Sequence, residues 1–277
     1  MSAEIPQALA RLDSLTRQLR EACPWDREQD ERSIVPHTVE EAYELADAAA
    51  RGDDAKLLDE LGDVLFQVHF LALLLEERGA GDLAQVADHC REKLIRRHPH
   101  VFPEAAGAAP VDARDSSTVL RNWDRIKSGE EGREAGLFGE VPENLPGPLL
   151  ARKVQRRAAS SGFDVQSAQE AHDALSAQTE RLGELVAAGA SGAPTSPEPG
   201  RGAAFDAAGD LLFAAVSLAR KLKVDPELAL RASSARFRAS VEHAERLARE
   251  HGDGWAELPF DAKLSLYAQA RLTMENR

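Results

Sequence analysis

The sequence is short of cysteine, aromatic residues and positive charge, and it has no long apolar run. Its two cysteines, Cys23 and Cys90, have no CxxC spacing, which argues against a disulfide framework or a thiolate metal site and for a reduced compartment. No stretch approaches the roughly eighteen apolar residues of a membrane span, and the N-terminus has no signal-like apolar core, so a soluble cytoplasmic protein is expected. Lysine and arginine number 34 against 47 aspartates and glutamates, for a net charge of −13. A chain this acidic is not held on nucleic acid or anionic membrane by its overall field; it must draw an anionic substrate locally, through metal ions or a few placed cations. No glutamate is followed by histidine three positions later, which removes the paired Glu-x-x-His ligands of a carboxylate-bridged di-iron bundle. Aromatics make up 5%, and neither strand alternation nor an Asn-Gly hairpin signal is found. What dominates is alanine, leucine, arginine and glutamate, the composition of an all-α fold.

What is present is a pair of acidic clusters, Glu40-Glu41-Ala42-Tyr43-Glu44 and Glu60-Leu61-Gly62-Asp63. Val39, Ala42, Ala46 and Ala49 mark one face of a first helix; Leu57, Leu61, Val64, Val68, Leu71 and Leu75 mark one face of a second. On helices Glu40 and Glu44 are four apart, while Glu41 with Glu44 and Glu60 with Asp63 are three apart, so each cluster gathers on one side. Gly52 with Asp53-Asp54 separates the helices, a break suited to an antiparallel pair. Four or five converging carboxylates destabilise a fold unless a cation neutralises them. Oxygen ligands without thiolate or imidazole select a hard ion, Mg²⁺ or its substitute Mn²⁺.

In chain order the pattern predicts helices over 5–21 (Leu9, Leu12, Leu15, Leu19), 37–50, 54–78 and 82–97, then a short one over 116–128 with Val119, Trp123 and Ile126. The helix over 82–97 is expected to bury Leu83, Val86, Cys90 and Leu94, and both cysteines read as packing residues. Gly- and Glu-rich residues up to Pro146 and Pro148 suggest a first domain over 1–130, a linker over 131–147 and a second domain over 148–277. The second half repeats the first in degraded form: Leu61-Gly62-Asp63-Val64-Leu65-Phe66 returns as Ala208-Gly209-Asp210-Leu211-Leu212-Phe213. Glu40, Glu44 and Asp63 correspond to Glu180, Glu184 and Asp210, but Glu41 becomes Arg181 and Glu60 becomes Ala207. The second half should therefore bind metal poorly, if at all.

Glu40-Glu41-x-x-Glu44 followed by Glu60-x-x-Asp63 is similar to the metal-binding signature of the all-α nucleoside triphosphate pyrophosphohydrolases, and of the two-domain MazG type among them. Cys23-Pro24-Trp25-Asp26, Lys93-Leu94-Ile95-Arg96-Arg97-His98-Pro99-His100 and Trp123-x-x-Ile126-Lys127 resemble MazG blocks as well, and Gly162-Phe163-Asp164 extends the likeness into the second half. A lone acidic motif is weak, because helix surfaces are rich in glutamate; five blocks in order are strong. The resemblance implies tandem helical domains contributing to a four-helix-bundle-type homodimer. It also implies Mg²⁺ on Glu40, Glu41, Glu44, Glu60 and Asp63, and hydrolysis of NTPs or dNTPs to the monophosphate and pyrophosphate. Lys93, Arg97, Trp123 and Lys127 fall on the family's nucleotide-contacting positions. Glu41, or Glu44 beside it, is the candidate to orient or deprotonate the attacking water.

Each assignment has a plainer reading: the first glutamates as a solvated face, Lys93 and Arg97 as complements to a helix C-terminus, Trp123 as a core anchor. Trp25 reads as structural, His69 as a packed histidine, and His98 and His100 as a turn. Two other functions stand beside the broad hydrolase. One is a narrower dUTP or dCTP pyrophosphatase of the same superfamily; the other is a non-catalytic helical regulator acting through the second domain. Nucleotide is the expected substrate, with neither membrane nor nucleic-acid polymer as a partner.

Overall fold

A computed structural model describes residues 4–103, 118–119, 122–123, 126, 136–139, 141–188 and 202–275. Among the described residues every regular element is an α-helix, ten in all. The all-α expectation is met. The chain divides into two compact units, Met1–Glu130 and Glu131–Arg277.

The first unit contains α1 (Glu4–Ala22), α2 (Pro24–Glu28), α3 (Glu31–Arg51), α4 (Asp54–Glu77) and α5 (Leu83–Arg97). α1 stops at Cys23, whose extended backbone satisfies the restriction that Pro24 imposes on its predecessor, and Pro24 then opens α2. α3 begins at Glu31, earlier than the expected residue 37. A capping box sets that start: the Asp30 carboxylate accepts from the amides of Arg32 and Ser33, and the Asp30 amide donates to Ser33 Oγ at 2.9 Å. Pro36 sits in the second turn, where the capped end tolerates the one hydrogen bond it removes.

The α3–α4 reversal places the site. Gly52 takes the left-handed conformation (φ 68°, ψ 29°) that a side chain disfavours, and its amide donates to the Ala48 and Ala49 carbonyls. Asp53 then caps α4 by accepting from the Lys56 amide at 3.0 Å. So tight a turn lays α3 and α4 side by side in opposite directions. Ile34, Phe70 and Leu74 form the core between them, with Phe66 and Leu71 packed against it. Phe70 is fully enclosed and meets Phe66 edge-on at 5.9 Å between centroids. Arg17 and Arg20 of α1 reach Glu76 and Glu77 of α4 at 2.6 and 2.8 Å. His69 is buried, as expected of a packed histidine.

Three expected faces are corrected. On α4 the buried residues include Glu60, Gln67, Phe70 and Leu74, whereas Leu61 and Val68 are open along with Leu58 and Leu65. Apolar residues wrap most of this helix, so periodicity alone does not say which side meets α3. On α5 nothing is buried: Val86 and Leu94 are open and Cys90 is exposed, so Cys90 is not a packing residue. α4 is the principal neighbour of α5, and no other described helix of the first unit packs on the stripe of α5. On α1, Leu9 and Leu15 are likewise open, and the buried residue is Thr16, whose hydroxyl donates to the Leu12 carbonyl.

The second unit contains α6 (Gly147–Ser160), α7 (Ala168–Ala187), α8 (Ala203–Lys221), α9 (Pro226–Glu250) and α10 (Phe260–Glu275). α7 lies along α8, α9 along α10, and α6 packs on α8 and α9. Its buried apolar residues are Ala171, Ala207, Val216, Ala244, Ala248 and Ala270, small enough to let helices approach closely. Asp164, after α6, is held by Arg220 and by Lys221 at 2.8 Å, both at the end of α8.

Candidate metal centre

Glu41 comes from α3, and Glu60 and Asp63 stand one turn apart on α4. One carboxylate oxygen from each lies within 4.8 Å of the other two, and among the described residues no other such group of ligating side chains converges. Burial is graded across the three: Asp63 is exposed, Glu41 half-buried, and Glu60 has no solvent exposure. A carboxylate that deep normally collects hydrogen-bond donors. Here Glu60 accepts none of good geometry on either oxygen; its one close cation is Lys56, whose Nζ lies 2.5 Å from Oε1 as an ion pair. Burial, followed by the neighbouring charges of Asp63, Glu44, Glu60 and Glu40, pushes the Glu41 carboxyl above its ordinary value. These are the marks of a cluster short of positive charge.

Glu40 and Glu44 are exposed and lie outside the three-residue group. They line an adjoining cleft of about 380 Å³ with Tyr43, Asp47, Arg51, Lys56 and Glu60. Of the five acidic candidates three thus converge and two stand beside them on the cleft wall, with Glu60 bordering both. Arg51 and Lys56, which bring positive charge to that cleft, were not singled out from the sequence. Lys56 had a signal, four positions before Glu60 on one helix; Arg51 had none beyond its charge.

Of the nucleotide candidates, Lys93 and Arg97 are half-buried in the last two turns of α5. The Arg97 guanidinium lies over the Trp123 ring at 5.2 Å, so these two are brought together. Lys127 lies outside the described residues. Trp25 is about half exposed and edge-on to His37 at 5.8 Å.

In the second unit the corresponding constellation is neutralised. Arg181 stands where Glu41 stands and pairs with Asp210 at 3.4 Å, while Ala207, fully buried, takes the place of Glu60.

A MazG nucleotide pyrophosphohydrolase domain matches residues 29–102, the span that carries α3, α4, α5 and all three converging carboxylates. The nucleoside triphosphate pyrophosphohydrolase of Escherichia coli (strain K12) is 36% identical over 253 residues, which cover 87% of this chain and 89% of that one. The chain belongs to the MazG family. A second MazG relative, the nucleoside triphosphate pyrophosphohydrolase/pyrophosphatase of Thermotoga maritima, is 35% identical over 259 residues, or 92% of each chain. The nucleoside triphosphate pyrophosphohydrolase of Mycobacterium tuberculosis shares 35% over 158 residues, 56% of this chain and 45% of its own. No described helix of this MazG chain is long and apolar enough to cross a membrane.

Proposed function

We propose that this hydrolase converts nucleoside and deoxynucleoside triphosphates to the monophosphate and pyrophosphate in a Mg²⁺-dependent reaction, and that it works in the cytoplasm. Residues 1–130 carry the chemistry, 131–147 join, and 148–277 form a domain without a metal site of its own. The observation that carries the reading is the meeting of Glu41, Glu60 and Asp63 within 4.8 Å around a buried Glu60 with too few donors. An all-oxygen set of this charge fits a hard divalent ion, Mg²⁺ or Mn²⁺. Glu41, Glu60 and Asp63 would hold it, with Glu40 and Glu44 supplying further oxygens from the cleft wall. When bound, such an ion supplies charge neutralisation at the phosphates and Lewis acidity toward water.

The rest of the reaction falls to side chains, because phosphoryl transfer depends mostly on positioning and electrostatics. Glu41, in the converging group, would accept a proton from an attacking water at its carboxylate oxygen, with Glu44 the alternative base. Lys93 and Arg97 present cations suited to non-bridging phosphate oxygens, and Lys127 joins them by sequence. Trp123, already carrying the Arg97 guanidinium on its face, offers a stacking surface that tolerates any base. Leu58, Leu61, Leu65 and Val68 form an open apolar stripe along α4 at helical spacing, and a second copy of the chain is the occupant proposed for it.

A panel of all NTPs and dNTPs with Mg²⁺, scored for monophosphate plus pyrophosphate against diphosphate plus phosphate, tests the reading. Release of orthophosphate, or no turnover of any nucleotide, would reject it.

A further inference from the structure

Lys56 occupies an unusual place for a surface lysine. Its side chain is half exposed, yet the ammonium lies 2.5 Å from an oxygen of Glu60, the one member of the cluster with no access to water. On the solvent side it also reaches Asp59 at 3.2 Å, one turn along the same helix. We infer that Lys56 is a tethered counter-ion of Glu60, holding the buried carboxylate until a divalent ion replaces it and thereby setting the affinity of the metal centre. This rests on the metal reading above.

The argument is one of competition. A cation seated among Glu41, Glu60 and Asp63 needs an oxygen of Glu60, and the ammonium beside Oε1 must withdraw before that oxygen is available. Without any cation Glu60 would be a buried, unpaired charge, the costliest state it can adopt. Lys56 relieves that state in the metal-free protein. Its hold is exchangeable: Asp59, itself exposed, already accepts from the ammonium at 3.2 Å and keeps it as it leaves Glu60. Displacement therefore requires no rearrangement of α4, only a swing of a flexible side chain. The apparent metal affinity falls by the fraction of molecules in which Lys56 still occupies Glu60.

Arg51 supplies the internal control. It lines the same cleft, but it pairs with Asp47 on its own helix at 2.8 Å. A general field effect would make the two cations equivalent; a specific counter-ion makes only Lys56 matter.

Calorimetric titration of Mn²⁺, without nucleotide, into the full chain and its variants decides the matter. Lys56→Gln should bind Mn²⁺ roughly three- to tenfold more tightly, the worth of a partly exposed ion pair. Lys56→Arg should bind it severalfold more weakly, because a planar guanidinium grips a carboxylate with two donors. Arg51→Gln should stay within about twofold of the parent. The metal-free Lys56→Gln protein should melt below the parent, and saturating Mn²⁺ should close the gap. Unchanged affinity in Lys56→Gln, equal gains in Lys56→Gln and Arg51→Gln, or parent-like binding in Lys56→Arg would overturn the inference while leaving the metal centre intact. Should Lys56→Gln fail to fold, the arginine variant carries the test alone. Absence of Mn²⁺ uptake by the parent chain would instead overturn the metal reading, and this inference with it.

Discussion

Glu60 and Ala207, which the sequence pattern aligns between the two units, are both sealed from solvent, one as a carboxylate and one as a methyl group. Around them the scaffolds run in parallel: α3 with α4 in the first unit, α7 with α8 in the second. The outer apolar positions are kept as well, since Leu58 and Leu65 are open on α4 and their counterparts Phe205 and Leu212 are open on α8. What differs is charge. The first unit holds a buried acid served by one lysine; the second has Ala207 and Arg181 at the positions that the sequence pattern aligns with Glu60 and Glu41, and Arg181 pairs with Asp210. A buried carboxylate destabilises the fold that holds it, which is why the metal proposal rests on the first unit. The second unit carries its cation covalently.

The widest expected gap between the units is catalytic. Glu41→Gln or Asp63→Asn should lower Mg²⁺-dependent pyrophosphate release by at least about a hundredfold, since even groups supporting a metal ligand are worth tenfold or more. Glu184→Gln and Asp210→Asn, the corresponding changes in the second unit, should leave the rate within about twofold. A large loss in either of the latter would place chemistry in the second unit and break the comparison at its centre.

How far such a contrast was readable beforehand depends on the kind of information involved. The acidic pattern, the substitutions at Arg181 and Ala207, and the antiparallel pair around Gly52 are visible in the sequence, because helical spacing and turn chemistry are local properties. The burial of Glu60 is not local; it depends on which side of α4 faces α3, and a helix with apolar residues on most of its sides does not declare that side. That ambiguity explains why Leu61 and Val68 of α4 are open; on α5 the apolar stripe is plain, but it is not buried, and Cys90 is exposed. The start of α3 lies six residues before the expected one because the Asp30–Ser33 capping box that sets it takes two ordinary residues. The pairing of Arg97 with Trp123 joins two motifs whose meeting no spacing rule foretells.

The next effect sharpens the comparison on the side of stability. Asp164 is partly buried, which favours its neutral form, but hydrogen bonds from Arg220 and Lys221 more than offset this and hold the carboxyl below its ordinary value. A carboxyl held low in the native state adds stability that is complete above its unfolded value and is lost as pH falls through the native one. The second unit should therefore weaken below about pH 4, and Arg220→Ala should destabilise it by about 2 kcal/mol at neutral pH, a buried-pair loss discounted for partial exposure. Denaturant unfolding of the full chain at pH 7 and pH 3.5 reads both. No pH dependence of the Arg220→Ala difference would mean the clamp does not depend on Asp164 ionisation.

A smaller effect, of opposite sign, is expected in the first unit. Glu60→Gln removes the buried charge and leaves Lys56 with Asp59, so the metal-free protein should gain about 1 kcal/mol by thermal or denaturant unfolding while losing metal binding. A net destabilisation would show that the Lys56 ion pair outweighs the burial of Glu60.

The smallest expected effect is none at all, and it bears most directly on what the buried carboxylate does. Arg181→Glu restores the full Glu-Glu-x-x-Glu pattern to the second unit at positions 180, 181 and 184. The ion pair it removes is more than half exposed on both sides and contributes no more than about 0.5 kcal/mol, so the fold should be undisturbed. Yet Ala207 still provides no oxygen inside the helix pair, and exposed carboxylates alone retain their water too well to surrender it to a divalent ion. In a protein whose first site is disabled by Asp63→Asn, calorimetry should therefore find no Mn²⁺ uptake after Arg181→Glu. Uptake there would mean that surface acids suffice, and the distinction drawn between Glu60 and Ala207 would lose its force.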